Sequence, residues 1–297
     1  MSSNLIFMLI IFTCISVAMV AAFIKKEFLS SEFYLRVRSW WWMLLVLTFF
    51  VLLPISFMPL FISFLALMGA KEIATVSRLN TLTTCILMAS MTLPILLSYW
   101  SFYIMLITGG IGFVCILTCL FISQNGFIMG GSNKIIPILS IIILLAAFLF
   151  SFRLLLNNKD SELAMSYVLY LIFTTQFNDA IQYFVGKKFG KHQLCPTISP
   201  NKTVEGAIGG GLIVSLLATV VALSITPFSL ISAMVISFTL TVLGVSGDVS
   251  VSWVKRKFGV KDMGDLLPGH GGILDRIDSL LLATPIFFFI VELLRLH

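Results

Sequence analysis

The sequence predicts an all-α polytopic membrane protein of about eight to ten transmembrane helices, with a candidate active site at the cytoplasmic face of the C-terminal helices. Three observations predict it. First, 59% of the 297 residues are hydrophobic and only 11% are charged, against roughly 25% charged in soluble domains. A soluble core of this size could not hide that much apolar surface. Second, the apolar residues form continuous runs. A transmembrane barrel would alternate polar and apolar residues instead. Third, mean hydropathy is +1.08, and 27 Phe exclude a disordered chain.

A bilayer crossing needs about 20 mostly apolar residues. On that measure the spans fall at 4–24, 39–56, 58–76, 81–98, 101–123, 135–152, 163–186, 204–225, 229–254 and 277–296. The connections at Pro54–Pro59 and Tyr99–Trp100 are very short. Each could join two halves of one broken helix, which lowers the count to nine or eight. The first run has no basic residue before it, and Lys25–Lys26 follows it. That order suits an uncleaved anchor with its N-terminus outside rather than a cleaved signal peptide.

The net charge is +6. With ten spans and the N-terminus outside, only Arg153, Lys159 and Arg295 of the 19 Lys and Arg fall outside. The excess therefore follows the positive-inside rule, and no nucleic-acid partner is called for. Both C-terminal polar loops come out cytoplasmic. Cys14, Cys85, Cys115, Cys119 and Cys195 show no CxxC or Cys/His ligand spacing, so neither a disulfide framework nor a zinc site is supported. One membrane domain spans 1–297, with scaffold helices in 1–160 and catalytic helices and loops in 161–297. A homodimer is compatible with it.

Charge is concentrated near the C-terminus. Asp179, Glu205, Asp248, Asp262, Asp265, Asp275 and Asp278 are seven of the 13 acids. Lys187, Lys188, Lys191, Lys202, Lys255, Arg256, Lys257, Lys261 and Arg276 are nine of the 19 bases. His192 and His270 lie there too. The first 150 residues hold only Glu27, Glu32 and Glu72, all expected in loops. Asp179 and Asp248 fall within or at the ends of apolar helices, where an unpaired carboxylate costs several kcal/mol. Asp275 and Asp278, three apart, share one helix face. Asp248 and Ser252 are four apart, and Lys255 and Arg256 follow on the next turn. Carboxylates beside cations at a membrane surface suit Mg²⁺ with phosphates. Gly264, Gly269, Gly271 and Gly272 flank Pro268 and His270 in a tight loop whose backbone could approach a ligand. Gly209, Gly210 and Gly211 are expected to serve close helix packing. No Walker or GxGxxG motif is present.

Three blocks carry a resemblance. The longest contains Ser252-Trp253-Val254-Lys255-Arg256, then Lys261-Asp262-Met263-Gly264, then Leu267-Pro268-Gly269-His270-Gly271-Gly272-Ile273-Leu274-Asp275-Arg276-Ile277-Asp278. It resembles the C-terminal signature of the phosphatidate cytidylyltransferases (CDP-diacylglycerol synthases). Asn178-Asp179 with Tyr183-Phe184-Val185-Gly186-Lys187, and Ser199-Pro200-Asn201-Lys202-Thr203-Val204-Glu205-Gly206, resemble two further family blocks. The blocks cover roughly residues 178–278; the N-terminal half is similar only in hydropathy. Three positions depart from the pattern. In Gly247-Asp248-Val249-Ser250-Val251-Ser252, Val251 replaces the usual acid. Gln182 stands where Ala is usual, and Val204 where Trp is common.

The resemblance implies transfer of CMP from CTP to the phosphate of phosphatidic acid at an inner (plasma) membrane, with membrane lipids around the protein. It implies Mg²⁺ on Asp248, Asp275 and Asp278. It implies Lys255, Arg256, Lys261 and Arg276 as triphosphate or phosphatidate partners, with Ser199, Lys202, Thr203 and Glu205 in a second substrate-binding loop. Asp179 would complete the polar cavity, with Ser252, Asp262, Gly271 and Gly272 among the substrate-binding positions. His270 would be a proton shuttle or a loop-ordering hydrogen-bonding residue. Because Val251 replaces an acid, a divergent paralogue with another lipid phosphate acceptor, or a CTP-dependent polyprenol kinase, is the alternative. A CDP-alcohol phosphatidyltransferase would need a D-G-x-x-A-R pattern, which is absent. A transporter should show repeat symmetry, with charge shared between its halves.

Overall fold

The computed structural model describes residues 57–97, 161–264 and 271–295, together with isolated positions between 13 and 111. Helix α1, Met58–Val76, carries Pro59 in its first turn, where its fixed φ suits the helix. A turn with Arg78 at φ 50° follows. Asn80 then accepts the Thr83 amide at 2.8 Å and starts α2, Thr81–Leu97. Helix α3 runs Ser161–Phe189. A short hairpin follows, β1 Gln193–Cys195 against β2 Ser199–Thr203. The strands are antiparallel, with Gln193 opposite Thr203 and Cys195 opposite Ser199. A π-helical turn, Gly206–Gly210, leads into α4, Gly211–Ile225. Helices α5, Leu230–Lys257, and α6, Leu274–Arg295, complete the described chain.

Among the described residues, four helical stretches are long and apolar enough to cross a membrane: Met58–Val76, Gly206–Ile225, Leu230–Lys257 and Leu274–Leu294. They coincide with expected spans 58–76, 204–225, 229–254 and 277–296. Expected spans 81–98 and 163–186 fall on α2 and α3. The runs 4–24, 39–56, 101–123 and 135–152 lie almost wholly outside the described residues.

The lengths place the polar groups. The 28 residues of α5 reach about 42 Å, beyond a hydrocarbon core of about 30 Å. Asp248 therefore lies about one bilayer thickness from the start of α5, and Lys255, Arg256 and Lys257 lie beyond it. The 29 residues of α3 do the same for Asp179 and the terminal Lys187 and Lys188. Helix α6 runs back from this end, so its first turns carry Asp275 and Asp278. Asp248 thus sits inside a helix, within the expected span 229–254.

Small and polar residues line the helix contacts, as close packing without a water-driven hydrophobic force requires. The Tyr170 hydroxyl bonds Ser237 at 2.8 Å, and Thr219 donates to the same Ser237 oxygen at 3.3 Å. Tyr167, Tyr170, Phe228 and Phe287 stack around this point. Leu216, Val220, Ile231, Val235 and Phe238 face outward, as lipid-facing positions should.

Gly210 packs as expected: a Cβ there would sit 2.7 Å from Gln182 Cα in α3. Gly211 meets nothing within 4 Å, so that part of the expectation is corrected. Glu72 is a larger correction. It lies in α1, not in a loop, and is 8% exposed. Its buried carboxylate is satisfied by backbone amides distant in sequence, at the N-terminus of α6.

Candidate active site

The ends of α3, α5 and α6 meet where glycine removes side-chain bulk. A Cβ on Gly247 would lie 2.7 Å from the Asp278 carbonyl and 3.3 Å from Ser279 Cα. One turn earlier, Gly244 faces Asn178 and Ser279. This close approach sets Asp248 beside the first turns of α6. Asp179, Asp248 and Asp278 come within electrostatic reach of one another. Asp179 Oδ1 is buried without a hydrogen bond, while Lys202, Arg276 and Ser279 also act on the Asp179 carboxylate. Neighbouring Asn178 donates to the Thr241 carbonyl at 3.0 Å and accepts from Gln182 at 2.7 Å. Gln182, which departs from the family pattern, therefore orients the α3 polar group.

Two Asp–Lys pairs dominate the electrostatics. Lys202, from β2, pairs with Asp248 Oδ2, while Ser252 donates to Asp248 Oδ1 at 3.2 Å. Lys255 Nζ meets Asp275 Oδ1 at 3.0 Å. Asp275 Oδ2 accepts the amides of Met263 at 2.8 Å and Gly272 at 2.9 Å. Asp275 thus closes the chain on itself across the glycine-containing loop. The left-handed turn there needs Gly271, at φ +80°. A Cβ on Gly271 would also meet Asp275 Oδ2 at 2.7 Å and Asp262 Cβ at 3.2 Å. Asp275 and Asp278 share a helix face as expected: Asp275 pairs with Lys255, which also acts on Asp278, and Asp278 faces Asp248 and Asp179 besides.

Residues 193–203 form a hairpin where a loop was expected. Arg256 Nε donates to the Ile198 carbonyl at 3.1 Å, docking its turn onto α5. Thr203 accepts the Gly206 amide at 3.1 Å and begins the following helix. Glu205 closes the hairpin base: it takes the Lys191 and His192 amides at 3.0 and 3.2 Å and the His192 ring at 2.6 Å. The Lys191 amide first, then the His192 ring and amide, hold the Glu205 carboxyl far below its ordinary 4.5, at about 2. A depressed carboxyl stabilises the fold above its unfolded value and loses that contribution as pH falls through its folded value. Native protein and Glu205→Gln should therefore differ in thermal midpoint at pH 7. They should converge as pH falls from about 4.5 towards 2. A gap that stays constant over that range would contradict this role for Glu205.

Of the other predicted positions, Ser199 lies in β2, half-buried. Lys261 and Asp262 are exposed ahead of the glycine turn. Arg276 offers its carbonyl to Gln176 at 3.1 Å. Val251 is half-buried and packs against the core. His270 lies outside the described residues. Among the described residues, no group of three or more His, Cys, Asp or Glu side chains forms a preformed metal centre.

Long apolar helices whose one end gathers carboxylates, lysines and a glycine turn define a membrane protein built to handle charged groups at the bilayer surface. The model of the cytidylyltransferase family matches residues 34–294. The chain belongs to the cytidylyltransferase family and is a nucleotidyltransferase. Among similar proteins, "Uncharacterized protein YnbB" of Escherichia coli (strain K12) is 31% identical over 276 residues, 88% of each chain. The phosphatidate cytidylyltransferase of Bacillus subtilis (strain 168) is 43% identical over 145 residues, 48% of this chain and 54% of the relative. That of Aquifex aeolicus (strain VF5) is 39% identical over 133 residues, 45% and 50% of the two chains. The match to these two named enzymes thus spans about half their length.

Proposed function

We propose that the protein transfers CMP from CTP to the phosphate of phosphatidic acid, forming CDP-diacylglycerol and pyrophosphate. The observation that carries this is the pairing of Lys202 with Asp248 and Lys255 with Asp275 at the joined ends of α3, α5 and α6. A phosphate oxygen of the lipid attacks the α-phosphorus of CTP. The bond from that phosphorus to the bridging oxygen breaks, and its electron pair leaves with pyrophosphate. The attacking group is already an anion, so no strong general base is needed. The obstacle is repulsion between two anionic phosphates, which fixed cations reduce. Lys202 and Lys255 neutralise carboxylates in the ligand-free protein and are placed to turn to phosphates. Arg256, Lys261 and Arg276 add positive charge on the same side.

The chemistry of the acids supports Mg²⁺ as the proposed ion. The acids offer hard oxygen donors, and Asp179 Oδ1 has no hydrogen bond. Asp248, Asp275 and Asp278 would hold the ion, with Asp179 beside them, once Lys202 and Lys255 turn to phosphates and free Asp248 Oδ2 and Asp275 Oδ1. Mg²⁺ bound there would offset phosphate charge and favour in-line attack. Val251, standing where the family usually has an acid, supports a second reading in which the protein acts on another lipid phosphate or as a CTP-dependent polyprenol kinase. The site loops are cytoplasmic in both readings, at a bacterial inner membrane.

The test is purified protein with labelled CTP, Mg²⁺ and a panel of phosphatidate, polyprenyl phosphate, diacylglycerol and polyprenol. CDP-diacylglycerol from phosphatidate alone supports the first reading. Equal turnover of phosphatidate and diacylglycerol would refute it.

A further inference from the structure

Glu72 belongs to the scaffold half and lies outside every sequence block that marks the site. Its carboxylate nevertheless accepts the Ile273 amide at 2.7 Å and the Leu274 amide at 2.9 Å, across 201 and 202 residues of sequence. These are orphan donors at the start of α6, which a carboxylate satisfies with favourable charge as well as hydrogen bonds. The fit is tight on the loop side too. A Cβ on Gly272 would lie 2.5 Å from Glu72 Oε2, and one on Gly264 would lie 3.1 Å from Glu72 Cγ. The two glycines thus leave room for the Glu72 side chain between the two ends of the loop. Asp275 is held from the same turn, by the Gly272 amide at 2.9 Å, and carries Lys255 at 3.0 Å.

We infer that Glu72 is a positioning residue of the site: it fixes the Gly272–Leu274 backbone, and through it the aim of Asp275 and Lys255. The inference rests on the proposed cytidylyl transfer for its kinetic part and on the fold alone for its structural part. A neutral amide at position 72 keeps the size but presents an NH₂ to one of two N–H donors. Glu72→Asp keeps both acceptors on a shorter stem.

The experiment uses the full chain in detergent, with native protein, Glu72→Gln and Glu72→Asp compared by hydrogen exchange and by CDP-lipid formation across a Mg²⁺ titration. In Glu72→Gln, exchange should rise in the peptide covering 271–278 while α3 and α5 keep native protection. The Mg²⁺ concentration for half-maximal rate should rise about ten- to a hundredfold, the range for losing a supporting hydrogen-bond partner. Glu72→Asp should recover part of both effects. Exchange that is unchanged, or that rises equally in α3 and α5, overturns the inference. So does a local rise in exchange with an unaltered Mg²⁺ requirement, or an Asp variant no better than Gln. If native protein makes no CDP-lipid, cytidylyl transfer fails, and the exchange pattern still decides whether Glu72 holds this turn.

Discussion

Asp275→Asn is expected to lower CDP-lipid formation at limiting Mg²⁺ by about a hundredfold or more, the usual scale for losing a preorganised charge at a reacting phosphate. The substitution keeps the shape but removes the charge that holds Lys255. Lys255 loses its anion where the pair is only 11% and 5% exposed. Breaking a pair that buried typically costs about 3–5 kcal/mol. The Met263 and Gly272 amides share Oδ2, so the Asn carbonyl keeps both only by turning its NH₂ towards the Lys255 ammonium. A lower thermal midpoint should therefore accompany the activity loss. Titration separates the two effects: excess Mg²⁺ should recover part of the rate if Asp275 helps hold the ion, and none if only folding is impaired. Asp248→Asn should behave similarly with a smaller loss of stability, because its Lys202 pair is 20% and 18% exposed. Cys85→Ser, at an exposed α2 position, is the control. Native rates in Asp275→Asn at limiting Mg²⁺ would remove Asp275 from the metal set.

The fold class was legible because a bilayer imposes a coarse rule: long apolar stretches with internally bonded backbones. Spans 58–76 and 229–254 could be read to within a few residues for that reason. The site was legible where charge broke an apolar run, as at Asp179 and Asp248, and where the Gly271–Asp278 block placed glycines and acids at fixed spacing. The hairpin at 193–203 was not legible. Its strands are three and five residues long, one contains Pro200, and its order comes from the Glu205 and Arg256 contacts rather than from alternation. Glu72 was misread for a related reason. A lone acid near the end of an apolar run resembles a loop residue, and its partners are two backbone amides some 200 positions away that leave no mark in side-chain chemistry. The pairing of Asp248 with Lys202 and of Asp275 with Lys255 is equally a product of the tertiary fold. Sequence spacing shows that both charges are present and leaves their partners open.

The crossing of α5 with α6 leads to the second large effect. Gly247→Ala adds one methyl group 2.7 Å from the Asp278 carbonyl and 3.2 Å from that of Ser279. Backbone oxygens held in a helix cannot swing aside as a flexible side chain would, so the helices must separate. Overpacking of this kind typically costs about 1–3 kcal/mol, set against a gain of about 1 kcal/mol in helix propensity for Gly to Ala. Net stability should fall modestly. Activity should fall more, about tenfold or beyond, because a small misplacement of reacting groups is costly in rate. Asp248 is the next residue, and Asp278 supplies the contacted oxygen, so both carboxylates shift with the helices. Gly211→Ala provides the contrast. That position has nothing within 4 Å, so the propensity gain stands alone, and the variant should be as stable as native protein or slightly more so, at full activity. Thermal midpoints and CDP-lipid rates for the two variants side by side test the claim. Equal activity in both would mean that the approach of α5 to α6 at Gly247 does not set the carboxylate geometry.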